Sequence, residues 1–475
     1  MNSVTTDRGP SPPPDTAAPP RDDTTAAPPD IAAATPDAAG APRSSSAFVT
    51  VGALAGWAAI VAVGRWWGLR LLAQGTRLVL PTPPVLGAPG PGLTPWLIVP
   101  IVVGAVLIAF VPVAIRRLSW RAVLTAVVAG AIVWAVGVAL VEGPAGLTRG
   151  PSWSSEYGSD VPTVASAPGH FLRTFTRDIG DYEIHVRGHP PGMVLILAGM
   201  DRAGLHGPGW EAALVIAAGG LAAAGALVAA RELAGEDTAR RAAPFVMLAP
   251  AAIWVATSAD ALFLGVATWG VTLVVLAIRR QGRRSDVLAV AGGVVLGAGL
   301  VLSYGLVLVA AVPVVVAIAA RRARPVALAA LGAAAVLAVF AGFGFWWLAG
   351  LLATKHQYDI LDLQRPYRYF VVNNLSAWAL ALGPATAVAL TRLRDRRLWL
   401  LVGGGAAAAL AADVTGLSEG EVERIWLPFT IWVLLAGAAL VGGPPDAPRW
   451  RAAQGWLAVQ AASAIVLVAL VTTQW

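Results

Sequence analysis

The sequence predicts an all-α, polytopic membrane protein of about thirteen transmembrane helices, with a functional loop and a surface helix on one face. Three observations carry this expectation. Hydrophobic residues fill 57% of the 475 positions and charged residues 13%, and mean hydropathy is +0.68, more apolar length than one globular core can bury. The apolar residues fall in runs able to cross about 30 Å of hydrocarbon, near 47–68, 95–115, 120–141, 210–231, 242–258, 259–278, 286–303, 304–320, 326–350, 371–391, 398–413, 424–442 and 453–472. Arginines cluster between these runs, the pattern of membrane topology rather than of a nucleic-acid surface, so the net charge of +7 indicates no nucleic-acid partner. The absence of Cys excludes disulfides, thiolate nucleophiles and Cys-ligated metals.

Taken in order, residues 1–46 are rich in Pro, Ala, Thr and Asp, with six aspartates, three arginines and almost no large apolar side chains. Such a segment cannot offset its ordering entropy by burial and is expected to be a disordered cytoplasmic tail. It lacks the charged-then-apolar order of a cleaved signal peptide, so the run 47–64 reads as a retained anchor that opens a membrane domain over 47–475. Arg116, Arg117 and Arg121, then Arg231, Arg240 and Arg241, then Arg279, Arg280, Arg283 and Arg284 mark inside loops by the positive-inside rule. Arg321, Arg322 and Arg324, the arginines between 392 and 397, and Arg449 with Arg451 mark three more. This alternation requires an odd number of crossings between the long loop after Glu142 and Arg231. The run 190–205 is short and interrupted by Asp201 and Arg202, whereas 210–231 is long and, up to its terminal Arg231, charged only at Glu211. The first is therefore read as an interfacial helix started by Pro190 and Pro191, and the second as the span. Arg65, Arg70 and Arg77 then fall outside, against the rule, and are expected to snorkel or to lie on a surface helix with Trp66 and Trp67.

All five histidines and the only lysine, Lys355, fall on the outer side of this topology. Short inner loops and the lack of a Gly-x-x-x-x-Gly-Lys-Ser/Thr loop argue against a nucleotide-binding domain, so chemistry is expected on the outer face. Ionisable groups there are functional candidates, because charges near hydrocarbon need partners or water. The outer loop 143–189 holds Glu156, Tyr157, Asp160, Asp178, Asp181, Glu183, His185, Arg187 and His189, and leads into Pro190-Pro191-Gly192. A partly desolvated carboxylate there, its pKa raised, suits a general base toward a hydroxyl; any single acid reads more readily as a solvated loop charge capping a helix, and it is the cluster as a whole that points to function. A second outer loop carries Lys355, His356, Asp359, Asp362, Arg365 and Arg368. Phosphate is the natural partner of these outer cations, and pairing with Asp359 and Asp362 is the alternative. Arg424, after Glu421 and Glu423, sits where a lipid phosphate would lie, with an ion pair to either acid as the alternative. Asp260, at a tight hairpin, is an outer acid of interest or a helix cap. His185 and His189 have i, i+4 spacing, but Gly188 and two prolines spoil a helical two-His face, so no metal ligand is assigned and a divalent ion is left open.

Together these residues resemble the GT-C superfamily of membrane glycosyltransferases. The resemblance is carried by the outer loop with Glu156-Tyr157 and Asp160, its closing Arg187-Gly188-His189-Pro190-Pro191-Gly192, the interfacial helix that follows and the Ser258-Ala259-Asp260 hairpin, over roughly 120–440. A similar His-Pro-Pro segment ends the catalytic loop of protein O-mannosyltransferases and aminoarabinose transferases. Glu421-Val422-Glu423-Arg424-Ile425-Trp426-Leu427-Pro428-Phe429 is further similar to actinobacterial envelope glycosyltransferases, including the type that adds methylthioxylose to lipoarabinomannan caps. The resemblance implies transfer of a sugar from a polyprenyl-phosphate donor to a hydroxyl of an envelope glycan or glycolipid, at the extracytoplasmic face of the plasma membrane. It implies Asp160 or Glu156 as the base, and Arg424, Lys355, Arg365, Arg368 and His356 around the donor phosphate. Asp181, His185, Arg187, His189 and Asp260 would position the substrates. The departure from the family pattern is the extra hairpin ahead of the catalytic loop. The competing expectation is a transporter or flippase of a lipid-linked sugar, whose ionisable groups would line a path at mid-membrane.

Overall fold

The computed structural model describes residues 43–256, 258–361, 365–416, 418–444 and 449–473. The expected tail, as far as residue 42, lies outside the described residues, and so does Asp362. Within them the chain is helical almost throughout; the strands Ala88–Pro89 and Val471–Thr472 pair antiparallel as a clasp between the first hairpin's loop and the end of the last helix. Runs of Ala, Leu, Val and Gly without water must satisfy their backbone internally, and a single segment does so only as a helix.

Eight described helices are long and apolar enough to cross a membrane: Ala47–Ala73, Pro95–Arg117, Trp120–Glu142, Pro208–Ala234, Asp260–Ile278, Arg324–Gly342, Arg396–Val414 and Trp450–Leu470. The protein is an all-α, multi-pass membrane protein. The apolar runs do not each return a full-length helix. Tyr304–Ala319 and Leu427–Leu440 are short, and both are partly 3-10, over Tyr304–Ala310 and Leu435–Leu440. Because a 3-10 helix rises ~2.0 Å per residue against 1.5 Å, the first still extends about 27 Å. The run 286–303 is helical as far as Leu300, within Gly282–Leu300, which opens on Arg283, Arg284 and Asp286. The run 242–258 is broken: the helix Glu236–Met247 stops before the 3-10 turn Pro250–Trp254, since Pro250 has no N–H to continue it.

The run 371–391 folds as Tyr367–Leu382 and Pro384–Arg392, bent by 90°. At the break Gly383 takes φ +78°, and Gln460 of the last helix, fully buried, supplies the missing partners. Its Oε1 accepts from the Ala385 N–H at 3.1 Å and its Nε2 donates to the Leu382 carbonyl at 2.9 Å. Broken backbone at this depth persists only with such partners. Gln460→Leu is expected to destabilise the fold by about 2 kcal/mol, seen as a lower thermal midpoint in detergent; an unchanged midpoint would show that the break needs no side-chain partner.

The two ends of the bundle differ in charge. Arg240 donates to the carbonyls of Ile115 and Leu118, Arg231 lies 4.7 Å over Trp120, and Arg280 pairs with Glu232. Arg322 donates to the carbonyls of Ile278 and Arg280, Arg241 to those of Val441 and Gly443, and Arg392 to Thr50. The contacts of Arg231, Arg240, Arg280 and Arg322 gather the arginine clusters of 116–121, 231–241, 279–284 and 321–324 at one end, and Arg392 holds the start of the first helix. At the opposite end the loop 143–189 folds into short helices, with Phe171, Phe175 and Tyr182 packed edge-on or stacked, and Phe345 against Phe175. The helix after Pro190 and Pro191, Gly192–Arg202, is 11 residues long, about 16 Å and short of the hydrocarbon thickness. Arg65 donates to the Pro83 carbonyl at 3.1 Å and Arg70 lies 5.6 Å over Trp66, so two arginines that break the positive-inside pattern are anchored within the first hairpin.

Candidate active site

Four segments meet at the end opposite the clustered loop arginines: 155–157, Ile184–Gly188 with His189, the hairpin tip 258–260, and Val422–Ile425 with Glu421. Arg424 joins them. Its Nη1 donates to Asp260 Oδ2 at 2.5 Å, and its Nη2 to Glu421 Oε2 at 2.5 Å and to His185 Nε2 at 3.2 Å. Asp260 is fixed in turn by Ser258, whose Oγ donates to Asp260 Oδ2 at 2.8 Å and accepts from the Asp260 N–H at 3.1 Å. The Ser155 carbonyl lies 2.9 Å from His185 Nδ1, which must therefore carry the hydrogen and leave Nε2 as acceptor for Arg424. His189 Nδ1 faces the His185 carbonyl at 3.0 Å in the same manner. Tyr157 packs beside both imidazoles, at 6.1 and 6.0 Å between ring centres.

The segment that carries Arg424 cannot hold its own shape. Val422–Ile425 is one helical turn, below the length at which a helix is stable alone, and Glu421 before it has φ +60°, a left-handed conformation uncommon for a residue with a Cβ. Asn374, buried in the helix Tyr367–Leu382, clamps the approach: its Oδ1 accepts from the Gly420 N–H at 3.1 Å and its Nδ2 donates to the Ser418 carbonyl at 2.6 Å and to Asp413 Oδ1 at 2.9 Å.

Burial and charge set the protonation states. Burial raises the Glu156 carboxyl to about 8; Arg424 opposes the rise, and Glu211, Asp260 and Glu421 add to it. Burial lowers His185 to about 4, helped by Arg424 and His189. Both are therefore neutral at pH 7, and the 3.5 Å approach of Glu156 Oε1 to His185 Nδ1 is no ion pair. Burial likewise lowers His189, with Asp260 opposing. Glu421 behaves differently: burial would raise it, but Arg424 beside it holds it below the usual carboxylate range. Arg424 is held charged by Asp260 and Glu421 against its own burial. The result is a buried cation paired with two acids, next to a carboxyl that titrates near neutrality.

No protein-family model matches the chain, and no curated protein matches it. Among solved structures it is similar to ArnT from Cupriavidus metallidurans in the apo state, at 18% identity and a TM-score of 0.38, over 57% of this chain and 54% of that one. It is also similar to the oligosaccharyltransferase of Archaeoglobus fulgidus in complex with zinc and sulfate, at 15% identity and a TM-score of 0.31, over 53% of this chain and 40% of that one. The chain thus spans about half the length of the structures it matches. Neither overlap assigns a family.

Of the residues singled out from sequence, Glu156, His185, His189, Asp260 and Arg424 come together. Asp160 does not join them: its carboxylate accepts the Glu183 N–H at 2.9 Å, tying down the start of Ile184–Gly188, and its pKa is raised by burial with that N–H opposing. Asp181, His356 and Arg368 are exposed, and Lys355 is an exposed partner of Asp359 at 2.8 Å. Arg365 is half-buried beside Phe370, with Nη1 donating to the Glu419 carbonyl at 2.6 Å and Nε without a partner among the described residues. Arg187 is half-buried, and its carbonyl accepts from Thr354 Oγ1 at 2.9 Å. Among the described residues no three His, Asp or Glu side chains converge as a metal site. The sequence reading named Tyr157 in the outer loop and gave Glu421 as an alternative ion-pair partner of Arg424, a pair the structure contains, but it left out Asn374 as their support. The paired amides Asn373 and Asn374 in an otherwise apolar run were the available signal for the last.

Proposed function

We propose that this protein is an integral-membrane glycosyltransferase that moves a sugar from a polyprenyl-phosphate donor to a hydroxyl of an envelope glycan or glycolipid, at the extracytoplasmic face of the plasma membrane. The observation that carries the reading is Glu156, a buried carboxyl with a pKa of about 8 set beside the Arg424 cluster at the end opposite the arginine-rich loops. The positive-inside rule supports an extracytoplasmic position for that end. Glu156 as carboxylate takes the proton of the acceptor hydroxyl while its oxygen bonds to the anomeric carbon. The bond from that carbon to the phosphate oxygen breaks, and its electron pair leaves with polyprenyl phosphate. Arg424 and Arg365 stabilise the departing charge, the kind of interaction that is usually the largest single contribution in such sites. His185 and His189, held neutral, can donate or accept hydrogen bonds to sugar hydroxyls without adding charge. Asp160 keeps the loop in place. The finer reading, an actinobacterial lipoglycan transferase of the methylthioxylose type, rests on the similarity of the segment 421–429 alone.

The test is the envelope glycolipid profile of a deletion strain complemented with wild type, Glu156→Gln or Asp160→Asn. One sugar is expected to be missing in the deletion and with Glu156→Gln, and restored by Asp160→Asn, whose side-chain oxygen still accepts the Glu183 N–H. Accumulation of an inward-facing lipid-linked sugar would instead identify a flippase.

A further inference from the structure

On either side of one peptide bond in the helix Val422–Ile425, Arg424 faces the catalytic cluster and Glu423 faces elsewhere. Glu423 is fully buried, and its Oε1 accepts the N–H of Leu86 at 2.9 Å. Leu86 belongs to the turn 82–87 in the loop of the first hairpin, the element that departs from the expected arrangement. This turn is not a loose connection. Thr82 Oγ1 donates to the Gly87 carbonyl at 2.9 Å, Arg65 holds the Pro83 carbonyl, and Asn373 Nδ2 donates to the Pro84 carbonyl at 3.0 Å. Tyr369 donates to Asn373 Oδ1 at 2.7 Å, so the turn is pinned to the helix that also carries the Asn374 clamp. Leu78, Leu80, Val85 and Leu86 are all buried.

A single helical turn preceded by a left-handed glutamate has no stiffness of its own, so its orientation is imposed by what touches it. Asn374 fixes its entry at Ser418 and Gly420. The contact between Glu423 and Leu86 fixes the turn itself. We infer that the first hairpin is a built part of the transfer site: its turn 82–87, through the Leu86 N–H and Glu423, sets the position of the Arg424 guanidinium. Glu423 is thus a positioning residue, and this inference rests on the transferase reading, in which Arg424 faces the donor phosphate. The Leu86 N–H needs only an acceptor oxygen on Glu423, a function that glutamine reproduces.

The experiment measures binding of undecaprenyl phosphate to the purified full chain in detergent. Glu423→Leu is expected to weaken binding about tenfold, the size of one hydrogen bond to a carboxyl group, and Glu423→Gln to restore most of it. In an Arg424→Lys background, where the guanidinium fork is already gone, Glu423→Leu is expected to cost less than about twofold, since contacts that act through one group are not additive. Leu86→Pro removes the same bond from the hairpin side and reads the inference if Glu423→Leu fails to fold. Equal binding by wild type, Glu423→Leu and Leu86→Pro, or an undiminished loss in the Arg424→Lys background, would overturn the positioning role while leaving the transferase reading intact. A wild-type chain that does not bind the lipid phosphate overturns that reading and this inference with it.

Discussion

Glu156→Gln is expected to lower sugar transfer by about 10²–10⁴-fold, the usual contribution of a positioned general base. Glutamine has the shape of the protonated carboxyl and cannot take a proton, so binding and fold should survive while the chemical step fails. Wild-type activity should rise with pH through about 8, as the carboxylate replaces the carboxyl that burial favours. The same shift makes a stability prediction of opposite sign. The folded pKa lies above the ordinary 4.5, so the folded chain holds a proton that the unfolded chain releases. The corresponding stability is complete below about pH 4.5 and is lost as pH rises through about 8. Thermal unfolding between pH 5 and 9 should therefore fall less steeply for Glu156→Gln than for wild type. Parallel curves, or a wild-type rate that is flat across pH 8, would remove Glu156 from the role of base.

Arg424 should produce the largest loss of stability. Its guanidinium is the shared partner of Asp260, Glu421 and His185, and its side chain is 6% exposed. Arg424→Met leaves two carboxylates buried without their cation, a change that costs about 3–5 kcal/mol in comparable sites. Much of that is the penalty of unpaired charge rather than the worth of the pair. Arg424→Met combined with Asp260→Asn and Glu421→Gln should consequently recover most of the thermal midpoint, yet no transfer. Arg424→Lys should separate the two functions further. It keeps the charge and most of the fold, but an ammonium cannot reach along a planar fork to Asp260 on one nitrogen and to Glu421 and His185 on the other. Transfer by Arg424→Lys at the wild-type rate would show that the fork geometry is not used.

Much of this was legible in the chain. The apolar runs and the arginine clusters between them reflect forces that act residue by residue: the cost of backbone and charge in hydrocarbon, and the bias of arginine to one side. Both survive in the fold as helices and as a single arginine-rich end. What failed was local regularity. The 90° break at Gly383 depends on Gln460, 77 positions downstream, for the partners of its backbone. No window of sequence contains such partners.

The site divides the same way. Glu156, His185, His189, Asp260 and Arg424 were conspicuous because ionisable groups are rare in such a chain and need a reason to be there. The sequence alone determined that the protein is a helical membrane protein whose arginines cluster in the short loops between its apolar runs, since composition and spacing act before any contact forms. Only the tertiary structure decided which of those charges meet. Asp160 and Glu156 are four residues apart in one loop, and the fold turns the first to the Glu183 amide and the second toward Arg424. Glu423 and Arg424 are adjacent, and Leu86 takes one side chain while Asp260 and Glu421 take the other. Such choices rest on burial and hydrogen bonds between segments far apart in the chain, and those exist only once the helices have packed.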